Sequence, residues 1–518
     1  MTDFDAIIIG SGAGGLTTAV ALARAGQKVC VLEQHYVPGG WCHSFTLEGF
    51  RFSPGVHYIG EIDEGGEMRR MYEGLGVAND MTFCELNPDG FDHLMIAGER
   101  FDIPKGREAY IERLSQRFPK ESKGIRKVID IWAGIGRELN KAAEIKPGLD
   151  LLKLPFEIPN TLRYGLRPLS KVMDHHIDDP LLKAFMTIQA GDHGVSPDKV
   201  PTAIHAAVVS HYFNGGYYPK GGAFVIPRAF MRELKRNGGE LRLEAKVDKI
   251  LLEDNRAIGV RMANGDEIRA KNVISNADPH VTYDRLIGRD QLPRLLRARL
   301  DKTTYSISAL SLFMAVDMDV RAAGMDSGNY WWGPNTNIGK FEGAFLTCTT
   351  LKDPTKRKDN LHTMESFNFV NYDEFKKWAH TKYGERPEDY KQLKADITKR
   401  MLETCDKMVP GLSEHVVFSD LGTPLTNEHY VASTKGNLYG TDKTLLQIGP
   451  FAYQPKTPFK DLWMCGASTL GHGVMGATVS GLVVAAKILK TSPSKLLNPE
   501  GQHLKTMDVT NVDEQRAA

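Results

Sequence analysis

The chain has 518 residues, too many for one small core, so two or more units are expected. A formal net charge of +1 with 25% charged residues excludes the one-signed field of a nucleic-acid binder. Mean hydropathy is −0.31, and no uninterrupted apolar run reaches the roughly 18 residues that a membrane-spanning helix needs. The six cysteines (Cys30, Cys42, Cys84, Cys348, Cys405, Cys465) are scattered without the close pairs of a metal knuckle. Reduced structural thiols and no metal site are therefore expected.

The first strand is read in residues 4–9, Phe-Asp-Ala-Ile-Ile-Ile. It runs into Gly10-Ser11-Gly12-Ala13-Gly14-Gly15, and a helix is expected over 16–25, stopped by Gly26. A second apolar run, 28–32, ends at Glu33, 18 positions after Gly15. Strand, glycine turn, helix, strand and acid in this order form a dinucleotide-binding unit. Gly10 serves the tight turn, Gly12 the approach of a pyrophosphate, and Gly15 the close packing of helix on strand. The amides at the helix start face the phosphates, and Glu33 is placed to accept from a ribose hydroxyl.

A Pro38-Gly39-Gly40 turn follows, then Trp41-Cys42-His43-Ser44 and a strand pair over 45–47 and 50–52. Next comes Gly55-Val56-His57-Tyr58-Ile59-Gly60. A strand pair around Ala97-Gly98 precedes a helix-rich region, with amphipathic stretches at 109–118 and 124–143. The proline-broken apolar block 151–159 fits either the mouth of a lipid-accepting channel or a loop packed on its own core. Pro219-Lys220-Gly221-Gly222 leads into an expected helix, 224–236, and then into strands over 240–243, 245–253, 257–262 and 267–270, ending at Val273-Ile274-Ser275-Asn276. Residues 306–316 alternate like a strand, and aromatics gather at Tyr330-Trp331-Trp332 and over 367–372. Plain core is the favoured reading for those aromatics, an apolar tunnel the other. A charged helix is expected over 391–408.

Residues 462–466 read as a buried strand. Gly471, Gly473 and Gly476 then repeat the spacing of the N-terminal glycines. A second nucleotide site is rejected there, because a loop parts strand from glycines and no acid-ended strand follows the helix over 479–489.

These motifs together resemble the flavin-dependent phytoene desaturase superfamily. The stretches Gly39-Gly40-Trp41-Cys42-His43-Ser44-Phe45 and Gly55-Val56-His57-Tyr58-Ile59-Gly60 are most similar to the all-trans-retinol 13,14-reductases (retinol saturases), then to the carotenoid cis-trans isomerases. Trp41 departs from relatives that carry an arginine directly after the glycine pair. The resemblance implies an α/β fold, in which a Rossmann-type FAD-binding domain of the glutathione-reductase and amine-oxidase kind interleaves with an α+β substrate domain. FAD-binding parts are expected over 1–90, 220–285 and 441–491, substrate parts over 91–219 and 286–440, and a mobile polar tail over 492–518.

The resemblance further places FAD against Gly10, Gly12, Ala13, Gly14, Gly15, Glu33 and Gln34, and against Gly39, Gly40, Trp41 and His57. Val247 would bracket the adenine, Asn276 lie near the nucleotide, and Gly466, Gly473, Val474 and Met475 close over the flavin. The closing helix would stabilise negative charge on the reduced ring through its start. His57, Tyr58 and His472 are the polar candidates for catalysis. The implied activity is oxidoreduction at a C=C bond of a conjugated apolar polyene or lipid, with saturation of a retinol-like substrate favoured. Desaturation, redox-neutral isomerisation, amine oxidation and a flavoprotein without turnover are the alternatives. An external electron donor or acceptor and peripheral membrane contact go with this reading. The first strand opens at Phe4, so no leader and a cytoplasmic location are expected.

Overall fold

The computed structural model describes residues 2–142 and 154–509. The apolar block expected at 151–159 thus lies partly outside the described residues; a short helix, Leu154–Glu157, begins within it.

The first sheet is built on the strand Phe4–Ile9. Parallel neighbours flank it: Val29–Leu32, followed by Glu240–Arg242, on one side and the second half of Glu267–Ser275 on the other. The first half of that nine-residue strand pairs antiparallel with Arg256–Met262, which in turn pairs with Val247–Glu253. Leu462–Met464 adds a further parallel strand at Val273–Ser275. Side chains alternate between two buried faces, as the near-continuous apolar runs require. Ala6, Ile8, Val29 and Val31 pack under the helices, while Ile7, Ile9, Cys30 and Leu32 pack against Val247, Ile250 and Tyr283.

The helix Ala13–Arg24 leaves the first strand through the glycine turn, and its inner face carries Ala19, Val20 and Ala23. Val225–Arg236 and the last helix, Gly473–Ile488, pack beside it. The last helix starts six residues before the apolar periodicity suggests, because glycines open it and hide its N-terminus in a loop-like sequence.

The second sheet has seven strands, in the order Val416–Gly422, Ser308–Val316, His362–Val370, Ala344–Cys348, Asn329–Gly333, Asp92–Ile96 and Glu99–Ile103. All pairs are antiparallel except Asn329–Gly333 with Asp92–Ile96. One face buries Leu310, Leu312 and Met314 under Ile397, Met401 and Cys405 of the helix Glu388–Met408. The opposite face presents Ala309, Ser311, Phe345 and Phe367 to a cavity shared with the first sheet. A helical layer built on Ser122–Ala142 and Thr202–His211 covers the remaining side.

A third sheet joins Thr82–Glu85 with Tyr217–Pro219 and with Lys505–Asp508. The segment after Ser492 is therefore not a mobile tail as far as residue 509. Leu504 and Val509 are buried, and Arg69 donates to the Leu504 carbonyl. Local polarity conceals this, because two apolar side chains and a strand edge suffice to dock the segment.

First and last helices meet at glycines. Thr18 Oγ1 donates to the carbonyls of Gly14 and Gly481 at 2.9 and 3.1 Å. A Cβ on Gly481 would lie 2.3 Å from the Gly14 carbonyl oxygen. Gly481→Ala therefore forces the helices apart, with an expected loss of about 1–3 kcal/mol of stability, the range for overpacking a tight core. Thermal and urea unfolding of the variant check this.

Candidate functional site: a flavin cradle opening on an apolar chamber

A single cavity of about 1510 Å³ lies between the two sheets. It exceeds the roughly 300–1,000 Å³ of an ordinary small-molecule pocket, so it has room for a large cofactor and a second ligand. Of the expected cofactor residues, Gly10, Gly12, Ala13, Gly14, Glu33, Gln34, Gly39, Gly40, Trp41, His57, Val247, Asn276, Gly466, Gly473, Val474 and Met475 all line it. Gly15 does not. A Cβ there would sit 2.2 Å from the Gly10 carbonyl oxygen, so its place is between helix and strand.

The cradle is shaped by close backbone approach. Gly10 has φ +91°, in the left-handed region that the turn requires. A Cβ on Gly12 would lie 2.7 Å from Asn276 Nδ2, and one on Gly40 would lie 3.3 Å from the Gly12 Cα. Glycine thus faces glycine across the site. Glu33 is buried, and its Oε2 accepts from Ser11 N at 2.9 Å and Ser11 Oγ at 2.6 Å, while Oε1 accepts from His35 N at 2.9 Å. A carboxylate offers about four acceptor positions, so Glu33 both pins the turn and retains capacity for a ribose hydroxyl. Trp41 covers Gly55: a Cβ on Gly55 would meet the Trp41 carbonyl oxygen at 2.6 Å and its ring at 3.0 Å. The indole thus packs against Gly55, where an arginine would offer charge.

Beside the glycine turn, Gly473–Ile488 points its first turn into the cavity with His472 as its N-cap residue. Gly466 N donates to Ser480 Oγ at 2.7 Å, tying the preceding strand to this helix. His472 is held neutral: burial and the Lys443 ammonium push its pKa down to about 3, against a contact with the Asp192 backbone. Its ring lies 5.4 Å from that of Tyr439.

His57 faces the apolar part of the cavity, 5.0 Å from the Phe345 ring and 5.5 Å from Phe367. Its Nδ1 lies 3.3 Å from Glu365 Oε2, and Lys352 Nζ donates to its backbone carbonyl at 2.7 Å. Tyr58 stacks on Tyr212 at 4.2 Å, and its hydroxyl lies 2.8 Å from Asp192 Oδ2 and 3.3 Å from Asp92 Oδ2. Burial, with those two carboxyl groups, holds the Tyr58 phenol far above its ordinary range. The structure thus brings His57, Tyr58 and His472 to one end of the cavity, together with Phe367 and with Asp192, Phe345 and Tyr439, the last three of which the sequence did not single out. No local spacing marks Asp192 or Phe345. For the aromatic clusters both readings apply: Phe367 lines the cavity, while Tyr330 and Trp331 are buried core.

The residues present fit FAD. Two glycine-lined helix starts face one cavity side by side, a Cβ on Gly14 lying 3.0 Å from the Ala477 carbonyl oxygen; one suits a phosphate bridge and the other an electron-accepting ring. Bound there, FAD supplies hydride transfer. Glu33→Ala is expected to raise the Kd for FAD by roughly 10- to 100-fold, the scale of one lost hydrogen bond to a charged group. Titrating apoprotein and following quenching of flavin fluorescence checks it.

Comparison with known proteins agrees with this arrangement. The family model of flavin containing amine oxidoreductases matches residues 13–489. The chain is 31% identical to the all-trans-retinol 13,14-reductase of Danio rerio, over 94% of this chain and 86% of that one. It is 28% identical to the chloroplastic prolycopene isomerase of Daucus carota, over 94% and 80%. Among solved structures, an oxidoreductase from Methanosarcina mazei shares the fold with TM-score 0.64 at 18% identity, covering 92% of this chain and 99% of its own. The matched span begins within the glycine turn, at Ala13, and runs through the second sheet to the closing helix, and the chain belongs to the flavin-containing amine oxidoreductase family as an FAD-dependent oxidoreductase.

Proposed function

We propose that the enzyme adds two hydrogens across one C=C bond of a conjugated apolar polyene of the retinol class. The observation that carries this reading is the apolar chamber continuous with the flavin cradle, walled by Phe345, Phe367, Ala203 and Ala207. An elongated hydrocarbon fits such a wall, whereas a charged amine would lose its hydration there. The similarity to the Danio rerio reductase across nearly the whole chain supports saturation over the other outcomes.

In this reading the chamber orients the polyene and excludes water. His57 and the Phe345 and Phe367 rings pack against its conjugated face, and the helix start at Gly473 favours negative charge at the flavin's far end. Electrons come from an external donor.

Exposed apolar side chains support peripheral membrane contact. Phe156, Leu162 and Leu166 are 85%, 54% and 60% exposed, and Leu166 also lines the cavity. The place of Leu166 at the chamber wall, with Phe156 and Leu162 exposed nearby in sequence, suits delivery of a lipid-soluble substrate from a bilayer. Among the described residues no helix is long and apolar enough to cross a membrane. Liposome flotation is expected to recover the wild type, and to lose the Phe156→Ser/Leu162→Ser double variant.

Anaerobic mixing of photoreduced holoenzyme with all-trans-retinol tests the reaction. Flavin reoxidation with a product heavier by two hydrogens is expected. Isomerisation of a cis-carotenoid without net flavin oxidation, with retinol inert, would instead make the protein an isomerase. Amine-dependent peroxide formation would make it an amine oxidase.

A further inference from the structure

The reductive reading needs a proton donor. His472 is held neutral and the Tyr58 phenol is held far from ionisation, so neither releases a proton readily, while His57 packs on the Phe345 and Phe367 rings with its Nδ1 toward Glu365 Oε2. Behind Tyr58 lie two carboxyl groups, and their surroundings differ sharply.

Asp92 opens the strand Asp92–Ile96 and is buried. Its Oδ1 accepts from Asn329 Nδ2 at 2.9 Å and Trp331 Nε1 at 3.1 Å. Its Oδ2 accepts from Gln189 Nε2 at 3.1 Å and lies 3.3 Å from the Tyr58 hydroxyl. Donors thus surround this carboxylate, and Lys352 stands just beyond, donating to Asn329 Oδ1 at 2.5 Å. Asp192 ends a short turn, Ile188–Asp192, anchored by a 2.9 Å bond from the Tyr439 hydroxyl to the Gly191 carbonyl. Its carboxyl is half-buried on the cavity wall and has Tyr58 as its donor.

One hydroxyl lies between two carboxyl groups, and three side-chain donors, Asn329, Trp331 and Gln189, favour charge on Asp92. Two neighbouring carboxylates in a site of low dielectric do not both ionise readily, so the proton stays on the member with fewer donors, Asp192. The other groups around Asp192 reinforce this. Tyr212 and Tyr439 face it as neutral phenols, His472 is neutral, and His193 turns away to meet His205 at 3.1 Å. Among the described residues no cation faces the carboxyl directly; Lys352 reaches the pair from the Asp92 side.

We propose that Asp192 is the general acid of the reaction, delivering its proton to the substrate from the chamber wall, and that Tyr58 is a positioning residue holding it against Asp92. This rests on the reductive reading of the site. The substrate π bond breaks as one carbon gains a hydride, with two electrons, from the reduced flavin. The π pair forms the second C–H bond with the proton released from the Asp192 O–H, leaving a carboxylate that water reprotonates after product leaves. Burial and the Asp92 charge move the Asp192 pKa up to about 8, while Tyr58 opposes the shift. Because this pKa is raised, the acid form is present at neutral pH and is lost as pH rises through about 8.

Two measurements test it. In the first, photoreduced holoenzyme is mixed with all-trans-retinol between pH 6 and 10, and flavin reoxidation is followed. The wild-type rate is expected to fall with one inflection near pH 8. Asp192→Asn should slow the step by about 100-fold or more and abolish the inflection, while Asp192→Glu retains it. Tyr58→Phe, which keeps the ring on Tyr212, should move the inflection alkaline by about one unit through loss of a bond to the charged form. An Asp192→Asn enzyme with wild-type rate and pH profile overturns the proposal. If that variant does not fold, an unmoved inflection in Tyr58→Phe overturns it.

The second measurement needs no substrate. Infrared difference spectra of holoenzyme should contain a protonated carboxyl band that titrates near pH 8 and is absent from Asp192→Asn. Absence of that band in wild type overturns the assignment. A wild type that carries the band but leaves retinol unreduced supports the assigned proton and counts against the polyene reading alone.

Discussion

The contact between the first and last helices governs the rest of the molecule. The Gly14 carbonyl meets Gly481 so closely that Gly481 has no space for a side chain, Asn276 and Gly466 close the space at Gly14, and Thr18 bridges the two backbones. This contact joins segments 463 residues apart and places two helix starts around one cavity. Each start exposes unpaired amides and the positive end of its helix dipole. A cofactor with a phosphate bridge at one end and an electron-accepting ring at the other suits that pair.

The second sheet extends the same logic to the substrate. Its strands alternate, so one face seals against the helix Glu388–Met408 while the other must border something. What it borders is the cavity, and residues of ordinary core character such as Phe345, Phe367 and Ala309 become its wall. Around the flavin end the same sheet carries Asp92, Asn329 and Glu365 into the interior, and the short helix Thr349–Lys352 adds Lys352. Burial there pushes the Lys352 pKa down to about 7 and the Asp92 pKa up to about 6. Such a network is costly unless its members satisfy one another, and Asn329, Trp331 and Gln189 supply the matching donors for Asp92. The apolar chamber and the polar cluster are two ends of one wall.

Much of the cofactor cradle was legible because its chemistry is local. Gly10, Gly12, Gly15 and Glu33 are marked by spacing within one strand-helix-strand unit, and spacing is what a single sequence displays. The strand pairs at Phe45–Leu47 with Phe50–Phe52, and Asp92–Ile96 with Glu99–Ile103, were legible for the same reason: each closes through a short turn. The rejection of a second nucleotide site at Gly471 to Gly476 also follows from local context, since no acid-ended strand comes after. By contrast, Asp192 sits in a turn with no signature, and its partners Tyr58 and Asp92 are 134 and 100 positions away. The segment after Ser492 looked like a polar tail because docking of Lys505–Asp508 depends on the free edge of Thr82–Glu85, which its own residues do not disclose.

By itself the sequence determined the two glycine-rich helix starts, the acid after the second strand, and the large insertion between them. These are short-range patterns, set by the backbone's need for tight turns and by the period of apolar side chains. Only the tertiary structure decided which aromatics wall the chamber, which of two carboxyl groups stands among donors, and how Trp41 lies on Gly55. Each of those is set by what approaches from a distant segment, and burial, not residue type, fixes whether a phenylalanine is core or wall and whether an aspartate keeps its proton. At the meeting of Gly14 and Gly481, the sequence supplied two glycines; the fold gave them the same few ångströms of space.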